Sequence, residues 1–324
     1  MIGVGFLDSV LNLTIPITAA ILLACLGEII SERAGVLNLG VEGIMAVGAL
    51  FGIAVASLTG SYWTGFFIGT IAGGVLSLLL GFFCISLKSD PIITGVMITL
   101  LGVATTTFFG QRWTGADVPT FNEITVPVLI EIPFVGRALF QNDPPVYLAY
   151  LMVPIVWVFL FRTNLGMEII ATGDDPRTAD TMGINVFKIK YLAVFIGGLL
   201  AGAGGVTISL SFAGLWTAGL IDGRGWVAIA LVIFARWRPF PALAGALLFG
   251  FVFAAQFPVQ GVDPSTALPF GEALGSVYNF VLHPAIMGTY PFLFTIAVLA
   301  VATIREESAV AMPQELLEPY MRES

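Results

Sequence analysis

Charge is what this sequence has least of: only 10% of its 324 residues are Asp, Glu, Lys or Arg, where soluble domains run at about 25%. That excludes an ordinary soluble domain. Histidine is nearly absent as well, with His283 alone and placed before Pro284, so no histidine triad, His-pair metal site or imidazole proton relay can be assembled and His283 is expected to be structural. Three lysines are present, Lys88, Lys188 and Lys190, and none completes the Gly-x-x-x-x-Gly-Lys-Ser/Thr loop that cradles phosphates. The chain is therefore not expected to hydrolyse nucleotide or to act as an enzyme, and nothing in it suggests nucleic-acid binding. Cys25 and Cys84 both sit in apolar runs, where they read as small hydrophobes, not as a disulfide or metal pair. No basic residue precedes the first apolar run in "MIGVGFLDSV", which argues against a cleaved secretory signal.

What is abundant is apolar surface: 57% hydrophobic residues, 37 glycines and a mean hydropathy of +0.97. Runs near 20 residues recur, each able to cross roughly 30 Å of hydrocarbon at 1.5 Å per helical residue. Barrel-type alternation is absent, and the expected fold is all-α, a polytopic helical membrane protein of about 8–10 transmembrane helices. Spans are read at about 11–30, 36–58, 64–87, 91–110, 146–162, 190–211, 224–235, 240–258 and 288–304. The run 224–235 is short for a crossing, and 265–287 could be a surface helix or a half-span. One membrane domain over 1–304 is expected, followed by an acidic, solvated tail at 305–324.

Basic residues orient the set, because inner connections carry the excess. Arg33, Lys88, Arg162, Arg177, Lys188, Lys190, Arg236, Arg238, Arg305 and Arg322 fall on one side, and Arg112, Arg137 and Arg224 on the other. The carboxy terminus is then cytoplasmic; nine spans would place the amino terminus outside, ten would place it inside. The outer connection 111–145, rich in proline and β-branched residues, suits an extended segment.

The inner connection 163–190 reads "TNLGMEIIATGDDPRTADTMGINVFKIK". Asp174 and Asp175 before Pro176 suit a helix start, acids there complementing the helix dipole, and Gly183 suits its end. A helix of about eight residues follows, roughly 12 Å long, with Ala179 and Met182 on one face and Arg177 and Asp180 on others. It has too little apolar surface to fold alone, so it must rest on its own bundle or be offered to a partner. "GLLAGAGGV", 197–206, lies inside a span, where close helix contact accounts for its glycines.

A second concentration of polar residues is "SERAGVLNLGVEG", 31–43. Glu32 and Arg33 read as charges at a helix edge. Asn38 and Glu42, one turn apart, read as a polar stripe at the start of an apolar helix, with Glu28 a further acid nearby. Three readings stay open: a solvated loop, a structural knot in which Glu42 or Glu28 pairs with Arg33 or Arg224, or a broken helix lining a solute path. "EGIMAV" at 42–47 and "RGWVAI" at 224–229 echo one another weakly, as an inverted repeat would. Thr99, Phe212, Trp216 and Trp226 join Asn38, Glu42 and Arg224 as candidates for the path.

The inner segment now carries a resemblance. Gly166, then "ATGDDPRTADTMGINVFKIK", then "GGLLAGAGG" resembles the cytoplasmic coupling region of ABC-importer permeases of the branched-chain amino acid and simple-sugar class. Gly173, Pro176, Ala179, Gly183, Ile184, Asn185, Val186 and Lys188 keep the pattern. Asp174 and Asp175 stand for Glu-Asn, Thr178 for the first alanine, and Ile169 or Ile170 where arginine is usual. "ERAGVLNLGVEGIMAVGA" is similar to the subgroup that imports purine nucleosides with a lipoprotein-type binding protein. The resemblance covers about 13–304.

It implies a multi-pass subunit of the cytoplasmic membrane that binds no cofactor. A partner cytoplasmic ABC ATPase would spend the ATP, docking at Gly173, Asp174, Asp175, Pro176, Arg177, Ala179, Asp180, Gly183 and Ile184. A second permease chain, identical or homologous, and an extracytoplasmic substrate-binding lipoprotein complete the assembly within membrane lipid. Nucleosides are the favoured cargo and simple sugars the alternative. The rivals are an ion-coupled transporter using Glu28, Glu42 or Asp222, and a membrane enzyme.

Overall fold

The computed structural model describes residues 4–116, 118–132, 136–260, 280–304, 313 and 316. Its long helices are α1 (Val4–Arg33), α2 (Val41–Thr59), α3 (Tyr62–Gly81, extended by a π turn Phe82–Ser86) and α4 (Pro91–Gly110). The outer connection holds a two-residue ribbon, β1 (Ile124–Thr125) against β2 (Gln141–Asn142), and a short α5 (Gly136–Phe140). It is only partly extended. Next come α6 (Pro144–Arg162), α7 (Asn164–Asp174), α8 (Pro176–Thr181) and α9 (Val186–Val206, extended by a π turn Thr207–Ala213). Then follow α10 (Arg224–Ala235), α11 (Pro239–Gln260), α12 (Pro284–Met287) and α13 (Tyr290–Ile304). Among the described residues seven helices are long and apolar enough to cross a membrane, and α10 is a shorter apolar one. This is a polytopic helical membrane protein. The stretch 261–279 and nearly all of the tail lie outside the described residues.

Two corrections to the sequence reading follow. The span read as 36–58 starts only at Val41, because residues 34–40 form a non-helical break. The inner connection holds two helices: α7 occupies most of what was read as loop, and Asp174 ends it instead of opening the next one.

α1 and α9 form the centre, packed against each other. α9 is antiparallel to α1 because glycines let the backbones meet: a Cβ on Gly27 would lie 2.4 Å from the Gly197 carbonyl oxygen, and one on Gly204 2.6 Å from that of Ala20. On its other sides α9 meets α2 and α3 through Gly48, Gly69, Gly73 and Gly202, again with backbone at van der Waals range. Where lipid leaves no hydrophobic drive between helices, such close approach supplies the packing energy.

The contacts obey an exchange rule. α1 packs on α10 and α11 as α9 packs on α2 and α3; α2 lies on α3 as α10 lies on α11; and α2 touches α10. Each set is a long helix, a break, a shorter helix and a third helix. The two sets are antiparallel, which is the arrangement of an inverted repeat.

Candidate functional site

The first break leaves α1 at Arg33, turns at Gly35 (φ 74°) and enters α2 at Val41. Side chains from three places hold it. Glu28 Oε1 accepts the Asn38 amide at 3.0 Å, Asn38 Oδ1 accepts the Gly40 amide at 3.0 Å, and Thr99 Oγ1 of α4 donates to the Leu39 carbonyl at 2.8 Å. α4 comes this close because Gly43 has no side chain: a Cβ there would sit 2.6 Å from the Ile98 oxygen. The Asn38 side-chain nitrogen is buried with no partner among the described residues. Asn38 therefore lies in the break, forming an Asx turn, and not on a helical stripe with Glu42.

The second break, 214–223, ends at Gly223 (φ 78°), whose residue type offers no side-chain cap to α10. Glu42 supplies it. Its two carboxylate oxygens accept the amides of Gly223 at 2.8 Å and Gly225 at 2.7 Å. Gly225 is required here, since a Cβ would lie 2.6 Å from the Glu42 Cα. An anion on a helix N-terminus satisfies both the orphan amides and the dipole. α2 and α10 thus meet N-terminus to N-terminus and run apart in opposite directions, joined by one buried carboxylate.

These contacts bear on the three readings of the stretch 31–43. A solvated loop is ruled out by burial: Glu28, Glu32, Asn38 and Glu42 are at most 7% exposed. The expected pairing of Glu42 or Glu28 with Arg33 or Arg224 is replaced by backbone contacts: both glutamates accept backbone amides, and the Arg224 guanidinium donates to the carbonyls of Leu220 at 3.1 Å and Ile221 at 2.9 Å and lies 5.3 Å from the Phe253 ring. The broken helix is present.

At the carboxy-terminal end of α1, Glu32 and Arg33 are not edge charges. Glu32 accepts a hydrogen bond from the Trp237 indole, and Arg33 donates twice to the Trp237 carbonyl at 3.3 Å. Trp237 sits in the turn between α10 and α11, where Arg236 and Trp237 both have φ 53°. Left-handed backbone at such residues costs about 1–2 kcal/mol each, so the Glu32 and Arg33 bonds hold a strained turn. Gly173 at the end of α7 rests on the same place: a Cβ would lie 2.2 Å from the Arg33 oxygen.

α8 begins at its cap, Asp175, whose carboxylate accepts the amides of Arg177 and Thr178 at 3.1 and 3.0 Å and the Thr178 hydroxyl at 2.5 Å. The Thr178 bonds hold the Asp175 carboxyl below the ordinary aspartate range. Pro176 and Ala179 face inward, Ala179 packing with Ile184, Val186 and Phe187. Arg177, Thr178 and Thr181 are exposed, and Asp180 is half-buried. Met182 does not share Ala179's face: it caps the helix and is 78% exposed. Gly183 (φ 88°) then turns the chain toward Asn185, which caps α9 through the Lys188 amide at 3.1 Å.

Beside the connection 111–145, read as outer from the sequence, lies a cavity of about 360 Å³ whose residues are far apart in the chain. Asn12, Pro16, Glu123, Arg137, Gln141, Asn142, Asp143, Ser211 and Phe212 line it. Pro16 interrupts α1 here, removing the amide that would bond the Asn12 carbonyl. The π turn at 207–213 brings in Ser211 and Phe212, and Ser211 Oγ donates to Asp143 at 2.8 Å. Burial pushes the Asp143 carboxyl up, against the opposing Ser211 bond and with help from nearby Glu123. Local signals existed in the polar residues between 123 and 143, but nothing in their spacing joins them to Asn12 or Ser211.

Of the remaining candidates, Phe212 lines this cavity. Trp216 lies within the second break, buried against Gly110, and does not line this cavity. Trp226 is 38% exposed, on a different face of α10 from Gly225.

The family described as "Branched-chain amino acid transport system / permease component" matches residues 10–275. A protein of Haloferax volcanii named "Putative glucose ABC transporter permease protein" is 51% identical over 98% of this chain and 99% of its own. The guanosine ABC transporter permease protein NupQ of Bacillus subtilis is 33% identical, covering 91% of this chain and 92% of its own. The nucleoside ABC transporter permease protein NupC of Lactococcus lactis is 31% identical, covering 85% and 86%. No solved structure matches the chain.

Proposed function

The chain belongs to the family of permease components of branched-chain amino acid transport systems, and from that premise we propose that it is the membrane-spanning subunit of an ATP-driven importer of a neutral, hydroxyl-rich solute, a simple sugar before a nucleoside. The observation that carries the transport reading is the meeting of α2 and α10 at Glu42. Interrupted helices whose N-termini converge inside an inverted repeat are the geometry by which transporters build a movable centre.

In this reading a cytoplasmic ATPase seats α8, with Asp174, Asp175, Arg177 and Met182 exposed beside it. Its closure on nucleotide moves α8 and α7 together. Gly173 passes the displacement to the Arg33 carbonyl, and the end of α1 holds the first break through Glu28 and Asn38 and the turn after α10 through Glu32 and Trp237. The ATPase supplies the free energy, and the permease supplies contacts that differ between its two openings. A second permease chain and an extracytoplasmic binding lipoprotein complete the importer in the cytoplasmic membrane, with the carboxy terminus inside.

For the cargo, the 51% identity to a protein named for glucose supports a sugar. So does the outer cavity, whose amides and carboxylates stand beside the Phe212 ring, a set suited to hydroxyl groups and an apolar sugar face. A nucleoside is the second reading, supported by the 31–43 motif and the relatives at 33% and 31%.

Vesicles holding this chain with its ATPase, second permease and binding protein should take up labelled glucose only with ATP, and excess unlabelled guanosine should not compete. Competition by guanosine in place of glucose would move the cargo to the second reading. Uptake by this chain alone on an ion gradient would overturn the importer reading itself.

A further inference from the structure

At the inner ends of α6 and α11 is a groove of about 570 Å³ that shares no residue with the two breaks or the outer cavity. Trp157, Phe161, Arg162, Arg238, Phe240 and Pro241 line it. Its floor is aromatic: Trp157 lies 6.0 Å from Phe240 and 6.5 Å from Phe161, centroid to centroid. Its mouth is cationic. Arg162 lies 5.3 Å from the Trp157 ring, Arg238 stands on the opposite wall, and Arg33 stands behind, 5.8 Å from the Phe161 ring.

Guanidiniums held over aromatic faces are fixed in place and keep their donors turned outward. Arg162 is held in this way over Trp157, and with Arg238 on the facing wall the pair matches a phosphodiester, which accepts forked hydrogen bonds. The groove also has a direction. Away from the arginines, α6 exposes Leu151, Ile155 and Val158, and α11 exposes Leu248 and Phe251, at helical spacing. A soluble anion would use the mouth and leave these two apolar stripes unexplained, whereas a lipid would use both.

We propose that this groove is a binding site for an anionic phospholipid of the inner leaflet, its phosphate between Arg162 and Arg238 and its acyl chains along the α6 and α11 stripes. Trp157 is then the residue at the boundary of headgroup and chain, the depth at which tryptophan is favoured. The lipid clamps the inner ends of α6 and α11 together beside the Arg33–Trp237 contact, so its presence tunes the strained turn after α10.

The test uses the full chain in phosphatidylcholine vesicles containing a minor fraction of brominated phosphatidylglycerol or brominated phosphatidylcholine. Trp157→Phe isolates the signal of one among six tryptophans. The Trp157 fluorescence should be quenched at a several-fold lower fraction of the anionic lipid than of the zwitterionic one. Arg162→Gln with Arg238→Gln should erase that preference, about fivefold for each guanidinium removed, while Arg162→Lys with Arg238→Lys should keep most of it and so control for folding. Equal quenching by the two lipids in the unaltered chain overturns the proposal. So does an anionic preference that survives both glutamines, and so does a double glutamine variant that keeps the lipid preference yet no longer retains the ATPase, which would make the groove a protein-docking surface.

Discussion

The two breaks occupy equivalent places in the inverted repeat, yet they are held differently. The first, at 34–40, is braced by its own half: Glu28 precedes it, Asn38 and Gly40 close on each other, and Thr99 approaches from α4. The second, at 214–223, is longer, carries Gly214, Gly219, Asp222 and Gly223 at positive φ, and receives its cap from Glu42 in the opposite half. One break is self-sufficient and the other is dependent. Symmetric packing therefore does not make the halves equal: the frame is repeated, and the polar fittings place control of the second half in the first.

The largest effect should come from removing the shared cap. Glu42→Ala leaves the buried Gly225 amide without an acceptor, at about 1–3 kcal/mol, and the part-buried Gly223 amide as well, at less. Thermal unfolding of the purified chain should fall sharply and solute uptake by the assembled importer should be lost, while Glu42→Gln, which can still accept one amide, should lie between. A Glu42→Ala variant as stable and active as the parent would mean that the second break supports itself.

Next is the packing that brings the halves together. Gly205→Ala would drive a Cβ to within 1.9 Å of the Met45 oxygen, and such overpacking costs about 1–3 kcal/mol. Gly81→Ala, whose Cβ would meet side chains only at 3.4 Å, should leave the melting temperature within a degree or so of the parent and serves as the control. In the turn after α10, Trp237→Phe removes the indole donor to Glu32 while keeping an aromatic ring, at about 1–2 kcal/mol. Because the turn after α10 is strained, its amides should exchange faster in that variant, whereas those of the first break should not.

The smallest effect is expected at α8. Asp175→Ala should speed amide exchange at Arg177 and Thr178 and lower ATP hydrolysis stimulated by solute, with Asp175→Asn restoring the cap. The pH sign follows from a carboxyl held below its ordinary range: the capped turn persists through mild acid and is lost as pH falls through the depressed value. Loss already at the ordinary aspartate range would argue against the Thr178 bonds as the cause.

Much of the frame was legible because long apolar runs report helix length directly. Each of the nine runs read as spans corresponds to a helix in the structure. The break at 34–40 was less so. Gly35, Asn38 and Gly40 left a broken helix open as one of three readings, and only the tertiary contacts of Asn38 with Glu28 and of Leu39 with Thr99 show what holds the break. The echo between 42–47 and 224–229 did locate equivalent helix starts, but it suggested a charge pair where the contact is carboxylate to backbone, and backbone amides have no signature in sequence. α7 was missed because its apolar face is short, and the outer cavity because it draws residues from four separate segments.

The dependence of α10 on Glu42 also bears on how the chain is made. With 12 residues, roughly 18 Å of helix, α10 is too short to span a bilayer by itself, and its first amides have no partner of their own. A nascent chain must already hold α1 and α2 in place when residues 223–225 leave the insertion machinery, so membrane integration of the second half is ordered behind the first. Truncations that remove the opening helices should then strand α10 outside the bilayer, where quality-control proteases meet it.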